Sequence, residues 1–239
     1  EVGRIFTHFA SPIHFYSFIQ EVPIQTRCFH ETIQGDDLQK FYIDIDMSEN
    51  IETGFQVVDS CKLSLKLAFQ ELYNVELQEN NILVYTSNDN TKFSSHIVVN
   101  GYCVTSNLES SYIFSIVKRI ANKDIVDYLD HGVYKSFRSL RTIYSHKAGS
   151  NRTKTKLGSN GPNYEDFLDS LITHVSDCKV LPEVAPHIEK VRPETQIDDV
   201  LAGKIVNVVF NKYGSIFSFR DVDEKIPGRV NFIRNRTSY

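Results

Sequence analysis

Short runs of apolar, β-branched and aromatic residues predict four strands in the first 150 residues of the chain. These runs cover residues 40–46, 81–86, 93–99 and 132–145. In the first and third runs the polar residues stand two positions apart. Because side chains alternate between the two faces of a strand, these polar residues would share one face.

Two helices are predicted between these strands, because apolar residues recur there every three or four positions. The first covers residues 58–72; strict alternation over 61–69 also fits a strand, but the length of the segment favours a helix. The second runs from about 108 to 121 and opens with a capping box of Ser106 and Glu109. The predicted inward residues are Val58, Cys61, Leu65, Ala68, Leu72, Leu108, Ile113, Ile116, Val117 and Ile120.

The rest of the chain has a different pattern. Residues 150–162 are polar and punctuated by glycine, which predicts a mobile loop. Amphipathic helices are predicted at 164–175 and 195–210, and the end of the chain, 228–239, is predicted to be a strand. We interpret the part from about 160 to 239 as a mainly helical cap on the preceding sheets.

Two acidic residues interrupt the first apolar run. Asp44 and Asp46 stand two apart, where a buried carboxylate is costly without a compensating partner. Both can converge on one point, and a hard divalent cation such as Mg²⁺ or Mn²⁺ is a suitable partner. Taken alone, the pair also fits a strand end that faces water.

The third strand carries a second polar group. Lys92, Ser94 and His96 share one face and offer an ammonium, a hydroxyl and an imidazole to a single ligand. This combination suits the oxygens of a polyphosphate. The same residues also fit the polar face of a half-exposed strand, with His96 as a neutral residue bonded to backbone.

The charge of the chain changes sign after Asp130. The net charge of the whole chain is −4, yet residues 135–156 contain seven basic side chains and no acidic one. The basic residues are Lys135, Arg138, Arg141, Lys147, Arg152, Lys154 and Lys156. Phe137, Leu140 and Tyr144 are interleaved with them, so we expect an anchored stretch whose cations face an anionic ligand.

In this order the three clusters resemble the three motifs of the archaeo-eukaryotic primase superfamily, in its PrimPol branch. The matching segments are Asp44-Ile45-Asp46, Lys92-x-Ser94-x-His96 and Asp130-x-Gly132-Val133-Tyr134. Arg138, Arg141 and Lys147 follow the third motif, and Arg4 stands where the family has an arginine that contacts the incoming nucleotide. The resemblance covers about residues 3–150 and is nearest to the primase modules of primase-helicases from large cytoplasmic DNA viruses.

The resemblance implies a fold of the α/β (α+β) class. Its catalytic core would have a sheet like that of an RNA-recognition motif, beside a smaller αβ module and helical additions. We expect residues 1–239 to form a single catalytic domain, with the motifs in about 1–150. We also expect the chain to be a fragment of a longer protein, since such proteins commonly continue into a zinc-binding module and a helicase.

The resemblance further implies a DNA-dependent primase/polymerase, a nucleotidyltransferase that makes primers on single-stranded DNA from NTPs or dNTPs. Asp44, Asp46 and Asp130 would be catalytic and would hold two divalent ions, Mg²⁺ or Mn²⁺, with no organic cofactor. The implied nucleotide-binding residues are Lys92, Ser94, His96, Arg138, Arg141, Lys147 and Arg4. A helicase module in the same polypeptide is the expected protein partner.

Composition agrees with a globular enzyme, because 41% of the residues are hydrophobic and 12% aromatic. No stretch of the sequence could span a membrane, so no membrane partner is expected. The four cysteines form no C-x-x-C pair, so neither a zinc clip nor a disulfide framework is predicted. The sequence shows no charged-then-apolar leader, and we therefore expect an intracellular protein, in the host cytoplasm if it is viral.

Two other functions fit parts of the pattern. Asp-x-Asp also marks glycosyltransferases that hold a nucleotide-sugar through Mn²⁺, although the sequence has no accompanying Gly-rich loop. A catalytically inactive domain that only binds single-stranded DNA would use Phe137 and Tyr144 as stacking surfaces. The seven-cation stretch favours a template and a triphosphate over a neutral sugar.

Overall fold

The computed structural model describes residues 5–48, 51–89 and 92–186, and the backbone of two strands beyond them. The chain divides into two compact units, Glu1–Pro186 and His187–Tyr239. The helices are α1 (Pro12–Glu21), α2 (Ile51–Tyr73), α3 (Asn107–Ile120), α4 (Lys123–Val126) and α5 (Tyr164–Ser170). The strands are β1 (His30–Gln34), β2 (Tyr42–Met47), β3 (Ile82–Thr86), β4 (Phe93–Val99), β5 (Tyr102–Cys103), β6 (Phe137–Arg141), β7 (Thr155–Lys156), β8 (Lys179–Val180), β9 (Phe217–Val222) and β10 (Val230–Arg234).

The centre of the first unit is a four-stranded antiparallel sheet with the strand order β2-β4-β3-β7. The register of β2 and β4 places Asp44 opposite His96 and Asp46 opposite Ser94. On the other side of β4, Tyr85 of β3 stands opposite His96. Because directly opposed residues point to the same face, this register gathers the polar residues of β2 and β4 on one side of the sheet.

The other face of the sheet is apolar and is covered by α2 and α3. Alternate residues of β2, β3 and β4 pack there against the buried stripes of the two helices. The buried residues of this cluster include Ile43, Ile45, Val84, Phe93, Ile97, Val57, Cys61, Leu65, Ile113 and Val117. Because this apolar face is covered, Asp44, Asp46 and His96 face the other layer, and Ser95 is a polar residue that remains on the apolar face.

A second layer covers the polar face over part of its area. It contains α1, α5 and the antiparallel pair of β1 and β6. Ile19, Ile33, Leu140 and Phe167 from these elements pack against Tyr42, Leu83 and Tyr85 of the sheet. In addition, the buried carboxylate of Glu31 accepts hydrogen bonds from the backbone N–H of Ile172 at 3.1 Å and of Thr173 at 3.2 Å. The second layer is therefore held by apolar packing and by the hydrogen bonds of the Glu31 carboxylate.

The α+β class and the first three predicted strands are confirmed. The predicted helix at 58–72 is part of the 23-residue α2, and its inward residues are buried or packed against the core. Leu63 and Leu67, which the alternative strand reading would place in the core, are 61% and 49% exposed. The 3.6-residue period therefore describes this segment correctly.

The second predicted helix is also confirmed, as α3, with Ser106 as its N-cap accepting from the backbone N–H of Glu109 at 3.3 Å. The second bond of the predicted capping box, from the backbone N–H of Ser106 to the Glu109 side chain, is wrong. The Glu109 carboxylate accepts instead from the backbone N–H groups of Val184 and Ala185. The predicted inward position of Leu108 is wrong, because this residue, in the first turn of α3, is 51% exposed.

Three predictions in the middle of the chain are wrong. Instead of one strand over 132–145, a 3₁₀ turn at His131–Val133 precedes the short β6. The expected mobile loop at 150–162 contains β7, which pairs with β3. The helix expected over 164–175 ends at Ser170, where Leu171 takes an extended conformation and the N–H groups of Ile172 and Thr173 donate to the Glu31 carboxylate instead of continuing the helix.

In the second unit, β9 and β10 form an antiparallel pair. The strand expected at 228–239 is found as β10, whereas the helix expected at 195–210 lies outside the described residues. Within the part of the chain that the structure describes, no helix has both the length and the hydropathy to cross a membrane.

Gly54 provides a test of the packing between α2 and the sheet. A Cβ atom at this position would lie 2.2 Å from the ring of Phe93. In an exposed helix, Gly→Ala would stabilise by roughly 1 kcal/mol, whereas overpacking costs about 1–3 kcal/mol. We expect Gly54→Ala to lower the free energy of unfolding, measured by urea titration, and Gln56→Ala on the exposed side of α2 to leave it nearly unchanged. A stabilised Gly54→Ala protein would contradict this close approach.

Candidate active site

A row of three polar side chains runs across the sheet into the second layer. The Oδ1 atom of Asp44 lies 3.3 Å from Nε2 of His96, and Nδ1 of His96 lies 2.5 Å from Nζ of Lys154. Lys154 also donates to the carbonyl oxygen of Arg141 at 2.7 Å. His96 and Lys154 are buried, and the Asp44 side chain is 14% exposed. The row thus leads from a nearly buried carboxylate to a fully covered ammonium.

Burial and mutual charge set the protonation of this row. Burial lowers the pKa of Lys154 to about 7, with a further lowering by the charge of Arg141, while Glu31 and Asp44 act in the opposite direction. Burial and the nearby Lys154 also lower the pKa of His96. Burial alone would raise the pKa of Asp44, but His96, Lys154 and Arg138 bring it below its usual value. The lowered pKa of Asp44 favours its ionised form, and the lowered pKa of His96 favours the neutral imidazole.

A second pair lies nearer to solvent on the same face. Nζ of Lys92 is 2.9 Å from Oδ2 of Asp46, and the two side chains are 34% and 50% exposed. Ser94 stands opposite Asp46 and is buried. An ion pair this exposed contributes little to stability, so a ligand can replace it at low cost.

Asp130 is held at the free edge of β2. Its backbone N–H donates to the carbonyl oxygen of Asp44 at 3.0 Å, and the N–H of Asp46 donates to Tyr128 at 3.2 Å. The exposed Asp130 carboxylate accepts from the N–H of Gly132 at 2.7 Å and begins the 3₁₀ turn. Tyr134 closes this segment onto β2 by donating its hydroxyl to the carbonyl oxygen of Tyr42.

The structure brings some of the predicted cations to this site. Arg138 lies on the inner face of β6, and its charge lowers the pKa of Asp44. Within the described residues its buried Nε atom has no hydrogen-bond partner. Arg141 donates to the carbonyl oxygen of Arg152 at 3.3 Å. Exposed Lys147 forms no ion pair with any described residue, and Arg4 lies outside the described residues.

The three aspartates fit a divalent cation in donor type and in backbone placement. Carboxylate oxygens are the ligands that Mg²⁺ and Mn²⁺ prefer, and all three residues lie on β2 or on the segment bonded to it. However, the described part of the chain contains no group of three or more His, Cys, Asp or Glu side chains gathered as metal ligands. Binding would require Asp44, Asp46 and Asp130 to exchange their present partners.

Lys154 is the site residue that sequence reasoning missed. The basic stretch includes it, but the polar, glycine-punctuated pattern around it predicts a mobile loop, whereas the structure buries its side chain. The sequence signal that could have found it is the alternation of Lys154-Thr155-Lys156, which is typical of a strand with two lysines on one face. Lys156 does lie within reach of a carboxylate, at 2.6 Å from Oδ1 of Asp166.

Fold and site together define an α+β protein with an acidic and basic polar sheet face, and the predicted likeness to viral primase-helicases is confirmed. No protein-family model matches the chain. The chain is similar to proteins of African swine fever virus whose names assign them, provisionally, to a helicase/primase complex.

Three of these relatives come from different isolates. The protein of the Kenyan pig isolate is 27% identical over 212 aligned residues, covering 80% of this chain and 20% of the relative. That of the Malawi tick isolate is 28% identical and covers 64% of this chain and 16% of the relative. The protein of the Badajoz strain is 26% identical, and the match covers 82% of this chain and 22% of the relative. The chain thus spans about a fifth of the length of the curated relatives it matches.

The lowered pKa of Lys154 predicts a pH dependence of stability. The unfolded lysine has a pKa of 10.5 and the folded one about 7, so between these values the unfolded state binds more protons. The cost of burying the ammonium is full below pH 7 and declines as the pH rises toward 10.5. In urea titrations we expect the wild type to gain stability relative to Lys154→Met over this interval. A constant difference between the two proteins would contradict the shift.

Proposed function

We propose that this chain is the catalytic module of a primase, a nucleotidyltransferase that synthesises primers on single-stranded DNA during replication. The observation that carries the proposal is the polar sheet face on which Asp44 pairs with His96 and Asp46 with Lys92, with Asp130 bonded to the same strand. A chain with this face is similar to proteins named for a helicase/primase complex. A primase-related role accounts for both observations.

In this proposal Asp44, Asp46 and Asp130 hold two divalent ions, Mg²⁺ or Mn²⁺. When bound, such ions make a 3′-hydroxyl more acidic and stabilise the charge on a departing pyrophosphate. The protein contributes mainly by position, because β2 fixes two of the carboxylates and the bridge to Leu129 fixes the third beside them.

The basic and polar residues would bind the nucleotide. Ser94 and His96 offer their donors from one face of β4, and Lys92 does so from the position just before this strand. Arg138 offers a guanidinium whose Nε atom lacks a partner among the described residues. Charge-assisted bonds from these groups suit triphosphate oxygens. We assign the same role to Arg141, Lys147 and Arg4, with Arg141 reaching either the triphosphate or the adjoining nucleic-acid backbone.

The partners follow from the same proposal. The substrates would be a single-stranded DNA template and NTPs or dNTPs, and the names of the relatives support a helicase partner or module. For a viral protein of this kind, the host cytoplasm would be the place of action. Each of these statements extends the proposal beyond the part of the relatives, about a fifth of their length, that this chain matches.

A domain that only binds single-stranded DNA is the second candidate. Phe137 is 49% exposed and could stack on a base. Tyr144 cannot serve as the other stacking surface, because it is buried and its hydroxyl donates to the carbonyl oxygen of Asn163 at 3.2 Å. A Mn²⁺-dependent glycosyltransferase gains no support from the named relatives.

Primer synthesis and extension on single-stranded DNA, with labelled ATP or dATP and with Mg²⁺ or Mn²⁺, test the proposal directly. We expect metal-dependent products from the wild type and a loss of at least roughly a hundredfold in Asp44→Asn, since a ligand carboxylate is removed while its shape is kept. Asp59→Asn, on the exposed side of α2, is the matched control and should remain active.

The outcomes separate the two candidates. Synthesis that disappears in Asp44→Asn while DNA binding is retained supports catalysis. DNA binding without any synthesis, in both metals and with or without a supplied primer, would favour the binding domain and overturn the primase proposal.

Lys92→Ala and Arg141→Ala test the nucleotide contacts. A charge-assisted hydrogen bond contributes about 1.5–3 kcal/mol, so each change should weaken apparent nucleotide affinity by roughly tenfold or more. Lys123→Ala on α4 is an exposed control and should bind nucleotide normally. If instead only template affinity and its salt dependence fall, these residues belong to the DNA-binding surface and not to the triphosphate site.

A further inference from the structure

The backbone around Lys154 is fixed on both sides. Its N–H donates to the carbonyl oxygen of Ser145 at 2.9 Å, and its carbonyl oxygen accepts from the N–H of Tyr144 at 2.8 Å. Tyr144 itself has a φ of 63°, which a tyrosine rarely adopts, and its hydroxyl is bonded to the backbone of Asn163. The chain thus returns to the sheet in a defined conformation that presents Lys154 to it.

The contacts of Lys154 define which ring nitrogen of His96 carries the proton. Lys154 has N–H donors and cannot accept when charged, so Nδ1 of His96, at 2.5 Å, must accept. The proton of the neutral imidazole is then on Nε2, which lies 3.3 Å from the acceptor oxygen of Asp44. A neutral lysine amine has a lone pair that can also accept from Nδ1–H, so it is the charged form of Lys154 that imposes this tautomer. The ionised carboxylate of Asp44, which can only accept, favours the proton on Nε2 in either charge state of Lys154.

We propose that Lys154 is a positioning residue for His96. It holds His96 as the neutral tautomer with the proton on Nε2, and this N–H points toward Asp44. The inference deepens the proposed function and rests on it for one point, namely that a triphosphate oxygen takes the place of Asp44 as acceptor. A histidine with the proton on Nδ1 would present a lone pair to the triphosphate and would repel it.

Lys154 does not act as a direct phosphate ligand. It is 2% exposed, and it is covered by His96 on one side and by the Arg141 carbonyl on the other. Its Nζ atom also lies over the Tyr85 ring, 5.9 Å from the ring centre. A triphosphate bound on the side of His96 that faces Asp44 would therefore contact the imidazole and not the lysine.

The tautomer can be observed without an activity measurement. In the full 239-residue protein labelled with ¹⁵N-histidine, long-range ¹H–¹⁵N spectra report which ring nitrogen carries the proton, and His96→Asn identifies the signals of His96 among eight histidines. We expect the wild type at pH 7 to carry the proton on Nε2. Lys154→Met keeps the length of the side chain but has no donor. In this variant the ¹⁵N chemical shifts of the two His96 ring nitrogens should move toward the values of a mixture of both neutral tautomers.

Lys156→Met is the matched control, since it makes the same change two residues along the same segment and removes only a contact to Asp166 and Asp169. It should leave the His96 spectrum as in the wild type. A proton on Nδ1 in the wild type would overturn the proposal without any variant being needed. An unchanged His96 spectrum in a folded Lys154→Met protein would overturn it as well.

Nucleotide affinity, measured by titration with dATP and Mn²⁺, tests the functional consequence. We expect roughly a tenfold weaker affinity in Lys154→Met and wild-type affinity in Lys156→Met. Lys154→Gln, which keeps a donor on a shorter chain, should recover part of the loss. A shifted tautomer with unchanged affinity would overturn the role of Lys154 in binding. A wild type that binds no nucleotide would refute the proposed function, while the spectra would still decide the tautomer.

Discussion

The antiparallel register between β2 and β4 is the constraint on which the site depends. It sets Asp44 opposite His96 and Asp46 opposite Ser94, while the alternate residues of both strands enter the apolar cluster under α2 and α3. A shift by one residue would exchange the two faces, burying the acids among aliphatic side chains. The hydrophobic core therefore specifies the chemistry indirectly, because it leaves Asp44, Asp46 and His96 only one side of the sheet.

Charge compensation is the second constraint, and it links the sheet to the layer above it. Asp44 is nearly buried and is accommodated because His96 can donate to it and because Lys154 and Arg138 lie close by. Lys154 in turn is tolerated because it has two acceptors and because Glu31 is near enough to favour its charge. Such a network is stable only when each member has its partner, so removing one residue affects the others.

The positions of the acidic and histidine motifs could be predicted because they lie on strands with clear alternation, and the same holds for the helices with a clear 3.6-residue period. Lys154 could not be predicted in this way. Its position depends on a return of the chain through Tyr144 and on two residues of pairing between β7 and β3, which leave almost no periodic signal. The exposure of Leu108 and the early end of α5 could not be predicted from the local pattern either. Tertiary packing decides where a helix ends and which of its residues are buried.

The attachment of Asp130 to β2 has a consequence for the solution behaviour of the protein. β2 is the outermost strand of its sheet, and an open strand edge is a template for pairing with other chains and for aggregation. The backbone bonds from Asp44 and Asp46 to the segment at 128–130 occupy part of that edge. The segment that carries Asp130 thus also covers part of an open strand edge, so a change that detached it from β2 would expose backbone donors and acceptors as well as move a carboxylate.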